Sequence, residues 1–521
     1  MLRFGSKLFV VPPPALFLAA VLFARPCAAA GPLGPDGSAI ATSDFAIDVF
    51  GGPVLGGSRM SGLGGAYTAI AEGVDGNLQN PAAPAVRPFY SVSQVDFWPA
   101  FGFTLPALSE LDYFNTGERN PEERLPSSFF YLMPAVNFQW ATVGFGFTAE
   151  LQQFSLPAPT ESGEIVTRLA TTHFQAANGF FRDQFVVGLG LRNVALSVSD
   201  ETCRDEGIAA CVRTEVRRRK YSFSSTGLGP ELGVLLKHER LPFRVGAAYR
   251  AAVDTRPRLG AVDYSDTSGD IVITGANGEP FYVPRSVSLP WDLNLGLAFQ
   301  FGRPINPPWR STQDVAEPVL RTLELEEREL ENARERELGA ARDAAEKAAI
   351  EARFAALLAR NARLQAHELR KAYLTLQQEF AALERFYVLV TASVLLSGSV
   401  PSGVGLESYF DQTIVRSGAE LSVSPHFGVE AEAVPDILKL RTGGYVEPAR
   451  SSGSSPRGHV TIGTDVRIAT FDVFGLWPSD YVFAATLFAD MAPRYATFGF
   501  GIGGWYPRHS GKVAAGATGV K

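Results

Sequence analysis

Between Pro290 and Phe301 the chain alternates without a miss. Trp291, Leu293, Leu295, Leu297, Phe299 and Phe301 share one face, and Asp292, Asn294, Gly296, Ala298 and Gln300 share the other. A period of two is that of a strand whose faces meet different surroundings. About ten such residues cross a bilayer as a tilted strand, and the aromatic residues at both ends suit the two interfaces. The pattern recurs. In Asn137 to Leu151, Val143, Phe145, Phe147, Ala149 and Leu151 oppose Thr142, Gly144 and Gly146. Phe243 to Arg250, His459 to Ile468 and Tyr495 to Tyr506 repeat it, each with bulky apolar residues against small or polar ones. The expected fold is all-β: a membrane protein built as a roughly 14-stranded antiparallel transmembrane β-barrel.

Fourteen strands are expected to start near residues 88, 127, 137, 165, 184, 219, 242, 287, 386, 408, 427, 458, 479 and 494. With the first strand running outward from the periplasm, the long polar connections near 99–126, 199–218 and 256–286 all fall outside the cell. The short ones, such as Met133-Pro134-Ala135 and His238-Glu239-Arg240-Leu241, fall in the periplasm. Long outer loops and short inner turns are the rule for such barrels.

One stretch departs from alternation. From about Asp314 to Leu389 the chain is rich in Glu, Arg, Ala and Leu, and Leu369, Tyr373, Leu376, Phe380, Leu383 and Tyr387 repeat at four- and three-residue steps. That is an a/d seam. Glu324 with Arg328 and Asp343 with Lys347 support its exposed face. The segment predicts an inserted periplasmic helical, coiled-coil-like element. A self-packed hairpin, self-association and a periplasmic protein partner all remain open for it.

The start of the chain sets the compartment. Arg3 and Lys7 precede the apolar run Ala15 to Phe23, and Ala28-Ala29-Ala30 offers a cleavage site. That is the layout of a signal peptide. Arg25 and Pro26 stand before Cys27 where a lipoprotein would carry small residues. Next comes Arg59-Met-Ser-Gly-Leu-Gly-Gly-Ala-Tyr-Thr-Ala-Ile-Ala, closed by Asn80-Pro81-Ala82. Gly62, Gly64 and Gly65 invite close backbone packing, and Pro81 biases Asn80 toward an extended conformation. Such a segment suits a compact plug inside a larger structure.

Composition fits this picture. Of 521 residues 19% are charged and 11% aromatic, with 51 glycines and 37 phenylalanines, and the mean hydropathy is +0.04. A helical membrane protein would be far more apolar, whereas a barrel turns only every second residue to lipid. The formal net charge of -7 argues against a nucleic-acid partner. Cys203 and Cys211 lie in a polar stretch and suit a small disulfide loop in an oxidising compartment. No histidine lies nearby to make them a zinc site. The basic run Arg217 to Lys220 suits either contact with lipopolysaccharide or a solvated loop edge. No HExxH, GxSxG or paired-cysteine motif points to catalysis, a metal or a cofactor. Arg192, Arg244, Arg250, Asp292, Asp465 and Arg467 fall on the inward face and make the lumen polar.

The glycine-rich run and Asn80-Pro81-Ala82, placed after a signal peptide and before the strands, resemble the N-terminal hatch of the outer-membrane long-chain fatty acid and toluene transporters. The resemblance implies a fourteen-stranded barrel closed by a hatch, with apolar ligands captured outside and released sideways into the membrane. It places the hatch at about Ala46 to Ala85, with Gly62, Gly64, Gly65, Ala66, Asn80, Pro81 and Ala82 at the matching motif. Asn80 would tie the hatch to the wall by backbone hydrogen bonds and Pro81 would fix its exit. The candidate strand for a lateral gap is Asn137 to Leu151, where Gly144 and Gly146 weaken regular packing. The domain order that follows is signal peptide 1–30, hatch 31–86, barrel 87–303, helical insertion 304–389, barrel 390–506 and tail 507–521. The expected function is passive uptake of fatty acids or other hydrophobic compounds across the bacterial outer membrane. A second reading is a scaffold that docks partners through the insertion. An apolar seam left uncovered by the insertion's own fold would favour it.

Overall fold

The computed structural model describes residues 33–88, 91–92, 94–107, 111–117, 128–157, 164–200, 223–259, 262–263, 269–274, 280–384, 386–470 and 482–505. The signal peptide, the Cys203–Cys211 pair, the basic run 217–220 and the tail 507–521 lie outside these residues.

Fourteen antiparallel strands close into one barrel: β1 (Val95–Pro106), β2 (Ser128–Trp140), β3 (Val143–Pro157), β4 (Glu164–Phe180), β5 (Phe185–Asp200), β6 (Phe223–Leu236), β7 (Phe243–Arg250), β8 (Asp292–Gly302), β9 (Tyr387–Ser397), β10 (Ser422–Val434), β11 (Leu438–Glu447), β12 (Arg457–Thr470), β13 (Val482–Ala492) and β14 (Tyr495–Trp505). Each pairs with its neighbours in sequence, and β14 returns to β1 to close the ring. The alternation decides which way each side chain points. On β8, Leu295, Leu297 and Phe301 are exposed outward, while Asn294, Gly296, Ala298 and Gln300 are buried inside. Phe145, Phe427, Val460, Ile462, Phe498, Phe500 and Ile502 continue the apolar outer belt. Among the described residues no helix is long and apolar enough to cross a membrane; the strands do so. A closed barrel with an apolar exterior leaves no sheet edge in lipid, and this one has the architecture of an outer-membrane barrel.

The structure corrects several boundaries. β1 starts at Val95, not near 88. Met133-Pro134-Ala135 is no turn: β2 runs through it, and the β2–β3 ladder steps over Met133 and Pro134 without changing register. Proline cannot donate to a ladder, and here it sits where that donor is not used. The real turn is Ala141-Thr142, with Ala141 at φ 50°. The strands expected near 408 and 427 lie at β10 and β11. Residues Leu406–Asp411 form a short helix in which the adjacent Tyr409 and Phe410 are both buried, which a two-faced strand does not permit. The stretch Leu438 to Glu447 is β11, and the chain leaves it for an outer connection at Pro448.

The insertion is a hairpin of two helices, Thr312–Ala340 and Ala344–Ala382. Ser311 caps the first with a reciprocal bond to Asp314, and Asp343 caps the second through the Glu346 amide. Leu323, Phe354, Ala372 and Leu376 are buried between them. The helix stops at Ala382, so Tyr387 is not its last seam residue but the first residue of β9.

Candidate functional site

The N-terminal segment fills the lumen. Its strand Ala46–Asp48 lies at the end of the barrel that carries the long connections. There it pairs with Ser286–Leu289 and Gly403–Val404 from two of them, and Val253–Thr255 completes a four-stranded cap. Asp48 is buried and accepts from Ser417 Oγ at 2.8 Å and Arg450 Nε at 3.0 Å. The chain then descends through a short helix, Ser58–Gly62, and two 3-10 turns, Val74–Leu78 and Ala83–Ala85, to Arg87. At the opposite end Arg87 donates to Ala141 O at 2.8 Å.

At mid-height this segment forms a plug seated directly on the wall. The seats are glycines, because only a residue without a Cβ lets two backbones approach so closely. A Cβ on Gly144 would collide with Pro84 O, one on Gly188 with Pro81 O, one on Gly233 with Asn80 Oδ1, and one on Gly246 with Thr68 O. On the far side Gly428 and Gly443 receive Leu63, and a Cβ on Gly463 would lie only 3.0 Å from Gly62 Cα. Gly64 and Gly65 have φ of 62° and 77°, which turns the plug under Gly444 and His426.

Wall side chains donate to plug carbonyl oxygens all round. Thr461 Oγ1 reaches Gly62 O at 3.1 Å, His426 Nδ1 reaches Gly64 O at 2.7 Å, and Thr391 Oγ1 reaches Ala66 O at 2.7 Å. Arg244 reaches Ile70 O at 2.9 Å, Gln175 reaches Asn77 O at 2.9 Å, and Gln139 reaches Pro84 O at 2.7 Å. Asn80 bridges both parts: its Nδ2 donates to Thr68 O at 2.9 Å and Val234 O at 3.0 Å, and its Oδ1 accepts from Ala82 N at 3.0 Å. Bonds of this kind are each worth about 0.5–1.5 kcal/mol net and cost more to break once buried.

Charge holds the other flank. Arg59 donates to both Glu430 oxygens at 2.8 Å and to Glu72 at 2.9 Å. Glu430 also accepts from Arg441 and Tyr387, and Arg441 reaches Asp465. Burial pushes the Glu72 carboxyl up, but Arg244 and Arg59 outweigh it and hold the group down to about 2. Burial also pushes Asp75 up, and Arg59 and Arg441 only partly offset that.

The two sides of the plug differ. Above it, Phe45, Ile47, Tyr113, Phe129, Phe154, Leu196, Phe223, Phe281 and Tyr409 pack into one apolar core. Between Val49, Tyr113, Phe154, Leu169 and Leu406 only a void of about 10 Å³ remains. Below it lies a cavity of about 200 Å³ lined by Arg59, Glu72, Asp75, Arg303, Lys439 and Asp465, which reaches Pro99, Phe101 and Ile502 in the wall.

The nine glycine-motif and gap-strand positions named from sequence thus meet in one layer, seven from the plug and two from the wall. Gly144 and Gly146 do not loosen β3. Its ladder is continuous through both, to Gln139 and Ala177 at Gly144 and to Asn137 and Gln175 at Gly146. Their missing side chains make room for Pro84 and Asn77. The short seam lies elsewhere: β1 pairs with β2 down to Val95, but among the described residues its pairing with β14 ends at Phe101 and Ile502. Sequence reasoning passed over Arg59, Glu430 and the seats Gly188, Gly233, Gly428 and Gly443. An inward glycine at mid-height of so many strands was the available signal. Of the inward charges, Arg192 and Arg250 both hold Asp292, while Arg467 pairs with Asp436 at the inner turn.

No protein-family model matches the sequence, and no curated protein matches it. Among solved structures it is similar to the CymD monoaromatic hydrocarbon channel, at 12% identity and TM-score 0.43 over 87% of this chain and 98% of that one. It is similar to the Pseudomonas putida toluene transporter TodX, at 9% identity and TM-score 0.41 over 87% and 98%. A Pseudomonas aeruginosa FadL homologue shares 11% identity at TM-score 0.43 over 89% and 100%. Likeness this distant adds nothing to what the chain's own pairings and contacts establish.

Proposed function

We propose that this protein is an outer-membrane channel for passive uptake of long-chain fatty acids or other hydrophobic compounds, gated by its N-terminal plug. The observation that carries the reading is the plug itself: backbone seated on wall glycines, with an apolar aromatic core on its outer side. An apolar solute that displaced part of this core would bury its surface among aromatic side chains, which is favourable by roughly 25 cal/mol per Å². Among the described residues the outer core is closely packed, with a void of about 10 Å³ between Val49, Tyr113 and Phe154, so entry is proposed to require the Ala46–Asp48 strand or its cap to yield. Below the plug the cavity mixes charged groups, Arg59, Glu72, Asp75, Arg303, Lys439 and Asp465, with apolar ones such as Trp98, Phe101, Ile305 and Ile502, so a solute continuing down the lumen would have to pass charge. Lateral release into hydrocarbon avoids that step, and the short β1–β14 seam beside the lower cavity is its proposed place.

The test is deletion of Asn80-Pro81-Ala82, followed by cellular uptake of a fluorescent long-chain fatty acid. Loss of uptake from a correctly inserted barrel is expected. Unchanged uptake would contradict the gating role. The scaffold reading is kept as the alternative: in the hairpin Leu376 is buried, while Leu369, Tyr373, Phe380 and Leu383 are half-buried.

A further inference from the structure

The helical insertion begins with a segment that crosses the periplasmic mouth of the barrel. β8 ends at Gly302, and the first helix of the hairpin starts at Thr312. In a ring of fourteen strands β8 stands opposite β1. The near end of the segment is held beside β9: Arg303 N donates to Phe386 O at 3.1 Å, and the Arg303 guanidinium lies 4.4 Å from the centre of the Tyr387 ring. The far end is held beside β1: Gln94 donates to Ser311 Oγ at 2.9 Å, and Thr312 N donates to Val92 O at 3.1 Å. Fourteen strands about 4.8 Å apart and tilted by about 40° make a ring roughly 28 Å across. Residues 303–311 reach about 30 Å when extended, so they cross with little slack. Pro304, Pro307 and Pro308 favour that extended form.

The crossing is also fastened along its length. Asn306 is buried; its Oδ1 accepts from Arg244 Nε at 2.8 Å, and its Nδ2 donates to His238 O at 3.1 Å and to Leu241 O and Phe243 O at 2.9 Å. The same Arg244 donates to Ile305 O at 2.5 Å and, on the plug, to Ile70 O at 2.9 Å and Glu72 at 2.7 Å. One guanidinium thus joins wall, crossing segment and plug. Trp309 packs on Arg87, where the plug leaves the lumen, with the guanidinium 4.3 Å from the ring centre. Arg303, Pro304 and Ile305 line the cavity below the plug, while Pro308 and Arg310 are exposed.

We propose that residues 303–311 are a strap that closes the lumen on its periplasmic side, a barrier separate from the plug, and that the helical hairpin is the strap's anchor. Ser311 is both the last residue of the strap and the cap of the first helix, and Arg310 pairs with Glu379 on the second. The hairpin therefore grips the strap at the end farthest from β8. With the strap in place, a water-soluble molecule in the periplasm does not reach the cavity below the plug. This closure goes beyond the uptake reading and does not depend on which solute the barrel carries.

The test is the reactivity of a cysteine in that cavity toward a small charged methanethiosulfonate. The full-length chain, with Cys203→Ser and Cys211→Ser, carries Thr486→Cys, which lines the cavity from β13, and is placed in lipid nanodiscs. Labelling should be slow with the strap intact. Asn306→Ala/Trp309→Ala should speed it at least about tenfold, because several buried hydrogen bonds hold the closed position. Gln94→Ala, which loosens only the far end, should give a smaller change in the same direction. Leu196→Cys, in the apolar core above the plug, should stay slow in every one of these chains. Heat-modifiable migration on gels confirms that each barrel is folded. Fast labelling of Thr486→Cys with the strap intact, no acceleration in Asn306→Ala/Trp309→Ala, or equal acceleration at Leu196→Cys would each overturn the proposal.

Discussion

The lumen above the plug and the lumen below it are built from different materials. Above, Tyr113 packs on Phe129 and Phe154 with ring centroids 5.2 and 5.8 Å apart, and almost no space is left. Below, charged side chains of both signs and apolar ones such as Trp98, Phe101, Ile305 and Ile502 surround an open cavity. The same alternating strands run through both halves, so the difference comes from what the N-terminal segment brings to each level. It contributes Phe45 and Ile47 to the upper half, backbone and alanine to the middle, and Arg59, Glu72 and Asp75 to the lower half. On the proposed reading an apolar solute would be favoured among the aromatic side chains above more than in the mixed charged and apolar cavity below. The proposed route therefore turns sideways at the boundary between them.

The largest effect should come from the charged flank of that boundary. Glu430→Ala leaves Arg59 and Arg441 without their shared carboxylate. Breaking a buried pair this way costs about 3–5 kcal/mol. A urea titration should show the plug releasing well before the barrel unfolds; one cooperative transition at the parent midpoint would show that the plug is not separately held there.

A wall seat is the next place to break the boundary. Gly188→Val drives a side chain into Pro81 O, and overpacking of this kind costs about 1–3 kcal/mol. The barrel should still form while bilayer recordings show a persistent ion leak through the lumen. Gly458→Ala, on β12, meets nothing within 4 Å and should behave as the parent. Equal leaks from both would mean that the glycine seats do not seal the barrel.

Acid should act more gently. The Glu72 carboxyl is held down to about 2 from an ordinary 4.5. Its contribution to seating is complete above pH 4.5 and fades as pH falls toward 2, because the unseated group binds its proton first. Protease cleavage of the plug should rise over that interval, and Glu72→Gln should flatten the rise. An unchanged profile in Glu72→Gln would assign the pH dependence to another group.

Most of the wall was legible from residues, since a membrane strand must show two faces. β8, β12 and β14 are readable for that reason. The expectation failed where a different pressure acts. Leu406–Asp411 alternates weakly because it is a buried helix in the cap, and Pro134 resembles a turn although its ladder leaves no role for the missing amide. Ala141 takes a positive φ with no glycine or asparagine to announce it. At the plug, Gly62 to Ala66 and Asn80 to Ala82 stood out as backbone specialists. Their partners did not: Thr391, His426 and Glu430 lie more than 300 residues away, and nothing local in the chain distinguishes them from other inward polar residues.

The central claim is that an apolar solute enters by displacing the N-terminal segment. Hydrogen exchange on the protein in lipid nanodiscs, with and without a long-chain fatty acid, tests it most directly. The account predicts faster exchange at Ala46–Asp48 and across Tyr67 to Ala82 when the fatty acid is present, with the helical hairpin unchanged. Unchanged or slower exchange in those segments at saturating fatty acid would contradict it.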